Sequence, residues 1–288
     1  MTAVSDLLRI LNLDPTGNDR FLGQVPQVGW QRVFGGLVIA QALTAARRTV
    51  EGREVHSLHG YFLLGGDPAV PISYEVERIR DGGSFTTRRV VARQNERAIF
   101  FLSASFHGEE EGFEHQAQMP AAPAPETLPT IHDMSKDLLD RVPHAVRAYF
   151  ERHRPIDLRP VDFRRFLSGA SEQLGFQIWI KASGRLPDDP AVHREVLAYA
   201  SDMTLLDASL VAHHTSVYEP TIGAASLDHA MWFHRNFRAD DWLLYVQDSP
   251  NAGGGRGFSR GLIFTREGQL VASVAQEGVI RRKRMRPA

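Results

Sequence analysis

The chain shows the same order of elements twice, and this order constrains the fold more than any other feature of the sequence. Each half contains one apolar helical segment followed by strand-like runs that turn residues separate. A helix that is apolar on nearly all sides must be buried, and strands joined by short turns pair antiparallel. The helical segments are 32–48 and 193–210; the strands after them are 56–64, 72–80, 84–94 and 98–106 in the first half and 225–235, 241–249, 256–266 and 269–279 in the second, where a further strand, 176–186, precedes the helix. The order therefore predicts an α+β fold with one buried helix and an antiparallel meander in each half.

Short sequence matches between the halves support an internal duplication. Ser57-Leu58-His59 matches Ser226-Leu227-Asp228, and each triplet follows its helical segment. Residues 83–86, GSFT, match residues 256–259, RGFS, where a glycine-rich turn opens a strand that carries arginine. The two closing strands, AIFFLSASFHG and LVASVAQEG, also end alike. These matches predict that one structural unit is present twice.

A proline-rich stretch divides the chain. Residues 119–129 carry four prolines, a spacing that excludes a helix or a central strand and favours an extended connector. The predicted units are residues 1–118, a linker and insert over 119–175, and residues 176–288. We expect helical structure in 131–175, because Leu138, Leu139, Val142 and Val146 are spaced for one helix face.

Composition excludes several classes of protein. Cysteine is absent from the 288 residues, which rules out disulfides, thiolate metal sites and cysteine nucleophiles. The formal net charge is −1, without the basic surplus that nucleic-acid binding needs. No apolar run approaches the length that spans a membrane, and the first residues lack the pattern of a signal peptide. These features predict a soluble, cytoplasmic protein without stable membrane insertion or nucleic-acid binding.

Three motifs are better explained by structure than by chemistry. Residues 257–261 fit G-x-S-x-G, but no histidine follows Ser259 and the context is that of a strand rather than a nucleophile elbow. The preceding glycine-rich segment lacks the spacing of a phosphate loop and predicts a hairpin turn. The histidine pairs 56/59 and 229/234 would point to opposite faces of their strands, so we expect no metal site.

Three polar residues stand in apolar surroundings: Asp202, Ser226 and Gln276. Asp202 lies in LAYASDMTLL, on a segment that we expect to be buried, and Gln276 lies in the apolar strand LVASVAQEGV. A buried carboxylate without partners is costly, so it must be hydrogen-bonded, paired or functional. From the residues alone, a structural hydrogen-bond cluster and a functional site both remain open.

The motifs VFGGLVIAQAL, HSLHGYFLLGGD, RDGGSFTTRRV, LDHAMWFHR and LVASVAQEG resemble the bacterial acyl-CoA thioesterase II family over nearly the whole chain. The resemblance implies a double hotdog fold, in which two antiparallel sheets from an internal duplication each wrap one helix. It implies hydrolysis of medium- to long-chain acyl-CoA, with coenzyme A as part of the substrate and no other cofactor. It also implies a homodimer or homotetramer.

The resemblance assigns the three polar residues to catalysis. Asp202 would act as general base toward a water that Ser226 and Gln276 orient, and no acyl-enzyme would form. The family often has threonine at the position of Ser226. We expect backbone N–H groups of Gly35 and Gly36, at a helix start, to stabilise the oxyanion. His59 would line the pocket or satisfy the core.

Two other functions remain as alternatives. A non-hydrolytic acyl-CoA-binding protein would use the same pocket without turnover. A hotdog hydratase acting on enoyl-CoA would need a histidine paired with the aspartate, and no histidine stands beside Asp202 in the sequence. Gln41 occupies roughly the helix position of Asp202 in the first half, which predicts that this half has lost its own site.

Overall fold

The structure is a computed structural model that describes residues 3–26, 31–129, 154–162, 175–217, 219 and 221–283. The described helices are α1 (Ala3–Leu11), α2 (Gly35–Arg47), α3 (Pro190–Ser201) and α4 (Ala208–Val211). The strands are β1 (Asp14–Gly17), β2 (Arg20–Gly23), β3 (Glu54–Phe62), β4 (Ile72–Asp81), β5 (Phe85–Gln94), β6 (Arg97–His107), β7 (Ile156–Pro160), β8 (Gly175–Ala182), β9 (Ile222–Ser226), β10 (Asp228–Phe233), β11 (Leu243–Gly253), β12 (Arg256–Thr265) and β13 (Leu270–Arg282).

The strands form one antiparallel sheet in the order β1-β2-β4-β5-β6-β3-β10-β13-β12-β11-β8-β7, and β9 pairs with β13 off this path. The halves join where β3 runs antiparallel to β10, with Tyr61 opposite Asp228 and His59 opposite Ala230. Because hydrogen bonds continue across this junction, the sheet has no edge between the halves.

The two halves have the same strand order. The strand order across the sheet is β2-β4-β5-β6-β3 in the first half and β8-β11-β12-β13-β10 in the second. The two orders correspond strand by strand, and β9, which has no counterpart in the first half, pairs with β13 off this path. Burial alternates identically from the first residue of β5 and of β12 through the first eight positions, which makes Phe85 equivalent to Arg256. The match of residues 83–86 with 256–259 is therefore two residues out of register, a shift that preserves the face because side chains alternate with period two.

The helices α2 and α3 pack together on the inner face of the sheet and carry residues of both halves into one hydrophobic core. α2 is buried on nearly all sides because Leu37, Ile39, Ala42 and Leu43 face neighbours in every direction. Two ion pairs reinforce the contact between the halves: Arg47–Glu195, with N–O at 2.8 Å, and Arg194–Glu54, with N–O at 2.6 Å.

The predicted helix 32–48 and the eight strands predicted after the two helical segments are confirmed, with shifted ends and with the run 225–235 divided into β9 and β10. The predicted helix 193–210 is confirmed up to Ser201 and wrong over 202–207, where the chain turns and forms a 3-10 turn; residues 208–210 are helical again, within the separate short helix α4. Within the predicted helical insert, residues 156–160 form the edge strand β7, so the helical prediction is wrong there. Residues 138–146 lie outside the described residues. No helix of the described part is long and apolar enough to cross a membrane.

Candidate active site

The structure brings Asp202, Ser226 and Gln276 together from three elements. Asp202 caps the C-terminus of α3, Ser226 ends β9, and Gln276 lies on the inward face of β13. Ser226 Oγ lies 3.4 Å and Gln276 Nε2 lies 3.2 Å from Asp202 Oδ1, and Gln276 Nε2 also donates to Ser226 Oγ. The pairing of Ser226 with Gly278 sets this geometry, because it places the serine two residues along from Gln276 on the neighbouring strand.

Asp202 is a buried carboxylic acid with an altered acidity. Its side chain is 5% exposed. Burial raises the pKa of Asp202 to about 7, although hydrogen bonds from Gln276, from the Gly36 backbone and from Ser226 work in the opposite direction. A carboxyl group with a pKa near neutrality can take up and release a proton at physiological pH, which is what a general base requires.

The N-terminus of α2 closes the site from the first half. The Gly36 backbone N–H donates to the Asp202 carboxylate. A Cβ on Gly35 would lie 2.6 Å from Asp202 Oδ2 and 2.9 Å from Phe62 Cζ, and a Cβ on Gly36 would overlap the Tyr199 carbonyl oxygen. Only glycine permits this approach, which puts the positive end of the helix dipole beside the carboxylate. Both glycines therefore lie beside Asp202, and their role toward an oxyanion stays a prediction.

His229 on β10 is a part of the site that the sequence analysis missed. Its ring lies behind Gln276, with Nδ1 3.1 Å from Gln276 Oε1 and Nε2 2.9 Å from Ser201 Oγ. Burial lowers the pKa of His229 to about 4, so the imidazole is neutral at pH 7. The sequence contained an indication of this position. His229, Met231 and Phe233 are alternate residues of one strand, so they share a face, and the two apolar members indicate that this face is buried.

His59 does not line the site. It lies on the exposed outer face of β3, against Trp232 with ring centroids 5.0 Å apart, whereas its neighbours Leu58 and Gly60 point inward. The prediction was wrong because it followed the sequence match with Asp228 rather than the alternation of the strand.

The predicted correspondence between Gln41 and Asp202 is wrong. Gln41 lies in the middle of α2, where its amide donates to the Ile10 and Gln24 carbonyls and accepts from Tyr74 Oη; it is therefore not at the position of Asp202, which caps α3.

Register shows which residues of the first half correspond to Ser259 and Gln276. Ser259 faces Gln276 across β12 and β13, and the equivalent pair in β5 and β6 is Arg88 with Ala104. Arg88 is 1% exposed and donates to Thr49 and to Asp81. A buried guanidinium with its partners thus fills this region of the first half.

The remaining motifs have structural roles. Ser259 is a fully buried residue within β12, as predicted, and the glycine-rich segment is the β11–β12 hairpin turn, with positive φ at Gly254 and Gly255. Within the described ranges, no three histidine or acidic side chains cluster in a way that could hold a metal ion.

Two protein-family models match the chain. The model for the N-terminal domain of acyl-CoA thioesterases covers residues 24–107, and the acyl-CoA thioesterase model covers residues 145–279. Among curated proteins, acyl-CoA thioesterase 2 of Haemophilus influenzae is 36% identical over 279 residues, 96% of this chain and 98% of that protein. Human acyl-coenzyme A thioesterase 8 is 39% identical over 95% of this chain and 88% of its own length.

Solved structures show the same architecture. An acyl-CoA thioesterase II from Mycobacterium marinum superposes with a TM-score of 0.79 at 43% identity, over 96% of this chain and 99% of that one. A hot dog fold protein from Alicyclobacillus acidocaldarius reaches 0.77 at 19% identity, over 96% and 98% of the two chains, which shows the fold alone. The fold and site thus define a hotdog-fold thioester hydrolase. The chain belongs to the acyl-CoA thioesterase family, which confirms the resemblance that its motifs indicate.

Proposed function

We propose that this protein hydrolyses medium- to long-chain fatty acyl-CoA to free fatty acid and coenzyme A, by activating a water without a covalent intermediate. The observation that carries the proposal is the convergence of Asp202, Ser226 and Gln276 on one buried point beside a helix N-terminus. The names of the relatives, which are acyl-CoA thioesterases, support the same substrate class.

The chemistry that these groups support is general-base hydrolysis. An ionised Asp202 takes a proton from water as the water oxygen attacks the thioester carbonyl carbon, and a tetrahedral oxyanion forms. The carbon–sulfur bond then breaks and coenzyme A leaves as a thiolate, which accepts the proton. Ser226 and Gln276 orient the water. No resident cofactor enters these steps.

The helix start would serve both the base and the oxyanion. Gly36 N–H is directed at the Asp202 carboxylate, so it stabilises the ionised base. The oxyanion donor that we propose is the N–H of Gly35, one residue nearer to the helix start, where the dipole favours negative charge.

The structure places a histidine near Asp202, but not in the orientation that the hydratase alternative requires. His229 Nδ1 lies 3.9 Å from Asp202 Oδ1. A hydratase needs the imidazole to face the acyl chain, whereas both ring nitrogens of His229 are held by Gln276 and Ser201 and its side chain is fully buried. Hydrolysis is therefore the reaction that the geometry supports best.

Three further features belong to the proposal. The shared strand order of the halves supports an origin by internal duplication. We expect a cytoplasmic homodimer or homotetramer, which light scattering coupled to size-exclusion chromatography would test. A mass equal to the 32.2 kDa chain at micromolar concentration would contradict the predicted assembly.

The decisive experiment compares two buried aspartates over an acyl-CoA series from acetyl to palmitoyl, with continuous detection of the released thiol. We expect Asp202→Asn to lower kcat at least about 10²-fold, the scale of a lost general base. Asp207→Asn is the matched control, because burial also raises the pKa of Asp207. The Asp207 carboxylate accepts a hydrogen bond from the Val217 N–H instead of from Ser226 and Gln276. Full turnover by Asp202→Asn would contradict the mechanism, and palmitoyl-CoA binding by the unsubstituted protein without thiol release would favour the binding-protein alternative.

A further inference from the structure

We propose that His229, held by Ser201, is a positioning residue that fixes the orientation of the Gln276 amide toward Asp202. The inference rests on the proposed function, because it concerns the same buried site. Its basis is a continuous chain of hydrogen-bonding side chains that runs Ser201–His229–Gln276–Asp202 across three elements.

The amide of Gln276 has two orientations with opposite consequences for the base. In the observed one, Nε2 donates to Asp202 Oδ1 and Ser226 Oγ. If the amide were rotated by half a turn, the carbonyl oxygen would face the carboxylate, and two acceptors would oppose each other without a proton between them. The orientation thus decides whether Gln276 supports or opposes the ionised Asp202.

A donor behind the amide sets this choice. Gln276 Oε1 faces His229 Nδ1 at 3.1 Å, and a carbonyl oxygen can only accept. Nδ1 must therefore carry the proton. In a neutral imidazole Nε2 is then an acceptor, and it lies 2.9 Å from Ser201 Oγ, whose one hydroxyl proton is shared between Nε2 and the Ala198 carbonyl oxygen, which is also 2.9 Å away.

The position of Ser201 is fixed independently of the site. It is the last residue of α3, with no exposed surface, and its backbone carbonyl accepts from Tyr245 Oη at 3.0 Å. The residue after it is Asp202. One helix end therefore supplies both the base and the group that, through His229, orients the amide facing that base.

The test uses two variants of similar size. His229→Asn keeps an N–H donor near the position of Nδ1. The leucine of His229→Leu branches at Cγ as asparagine does but has no donor. Both variants lose the contact between Nε2 and Ser201. We expect His229→Leu to lower kcat/KM at pH 7 about tenfold, the scale of one hydrogen bond to a charged group, and His229→Asn to retain most of it.

The pH profile separates positioning from a merely structural role. Loss of the Gln276 donor raises the pKa of Asp202, so the acidic limb of kcat/KM should move to higher pH in His229→Leu and remain in place in His229→Asn. The titratable side chains that face Asp202 from neighbouring strands are His229 and Tyr245, and burial raises the pKa of the Tyr245 hydroxyl well above its usual value. Neither therefore titrates near pH 7. Ser226, Gly35 and Gly36 contribute no ionisable group.

Ser201→Ala gives a second measurement if the His229 variants fold poorly. It removes the hydroxyl that faces Nε2 and favours the tautomer with a proton on Nδ1, so the acidic limb should shift in the same direction as in His229→Leu. His229→Asn does not depend on this contact, because an amide NH2 is a donor without a choice of tautomer. Ser259→Ala is the control for Ser201→Ala, because Ser259 is equally buried and faces Gln276 across the sheet, yet its Oγ lacks a hydrogen-bond partner within the described structure. An unshifted profile in both His229→Leu and Ser201→Ala would overturn the inference. If those profiles are unshifted while Asp202→Asn is inactive, the proposed function stands; if Asp202→Asn is fully active, the proposed function fails first.

Discussion

Asp202 occupies an environment that opposes its own ionisation, and the activity should show this directly. Burial raises the pKa of Asp202 to about 7. Only the ionised carboxylate can take a proton from water, so kcat/KM should increase with pH and level off above about pH 7. The measurement is a pH series with decanoyl-CoA, corrected for spontaneous thioester hydrolysis. An activity that is constant from about pH 5 to pH 9 would show that this carboxyl group is not the titrating base.

The same pKa makes a prediction about stability. The pKa of Asp202 is raised in the folded state, so its contribution to stability is fully present below the unfolded pKa of 3.8 and is lost as the pH rises through about 7. Asn cannot ionise and still accepts hydrogen bonds. Asp202→Asn should therefore exceed the unsubstituted protein in Tm at about pH 8, by more than it does at about pH 4. Thermal melts at the two pH values check this, and an equal difference at both would contradict it.

At the scale of single residues, the sequence allowed the prediction of polar side chains that stand within apolar runs. Asp202 and Gln276 were predicted because each is polar within an apolar run, and the structure brings them together. His229 was not predicted as a site residue, because a lone histidine on an apolar strand is usually a core residue. The contact of His229 with Gln276 also joins two different strands, β10 and β13. Contacts between strands depend on register, which the sequence does not state.

The start of α2 is an element whose two glycines have separable roles. A Cβ on Gly35 would meet the Asp202 carboxylate, whereas a Cβ on Gly36 would meet the Tyr199 backbone carbonyl. Gly35→Ala should displace the carboxylate and lower kcat about tenfold or more with a small change in Tm, because a side chain can move aside. Gly36→Ala should destabilise the fold by about 1–3 kcal/mol, because the helices must separate. Kinetics and urea denaturation of both variants check this, and equal effects on both properties would contradict the division.

The long elements were predictable and the short ones were not. α2 is a mostly apolar segment of 13 residues, and the strands from β3 to β6 have nine or more residues each, with apolar alternation over much of their length. β1 and β2 have four residues each, and β7 has five and ends in a proline. These are edge or near-edge strands, where little burial is needed and the apolar alternation is weak. The turn after Ser201 was missed because Met203, Leu205 and Leu206 continue the apolar pattern of α3 beyond its end.

For the whole molecule, the boundary that the prolines suggest in the sequence is not a boundary in the structure. The connector lies on the second half: Trp179 Nε1 donates to the Pro123 carbonyl at 2.9 Å, and Glu126 pairs with Arg266 at 2.8 Å. Gln116 also binds the β12–β13 turn through Gly268 and Leu270. The segment that separates the predicted units along the chain is therefore packed on the second half and is not a free linker between them.

The two halves should unfold as one unit. β3 and β10 continue one sheet across the junction, α2 packs on α3 in a common core, and Arg47–Glu195 crosses between the helices with Glu195 almost fully buried. Separating the halves would expose this core and leave Glu195 without its cation, so neither half retains its native contacts alone. Calorimetry should show a single transition, and Glu195→Gln should lower its Tm as a whole, since an uncharged amide leaves Arg47 unpaired. Two resolved transitions, or a Glu195→Gln variant in which only part of the heat capacity peak moves, would show that the halves unfold separately.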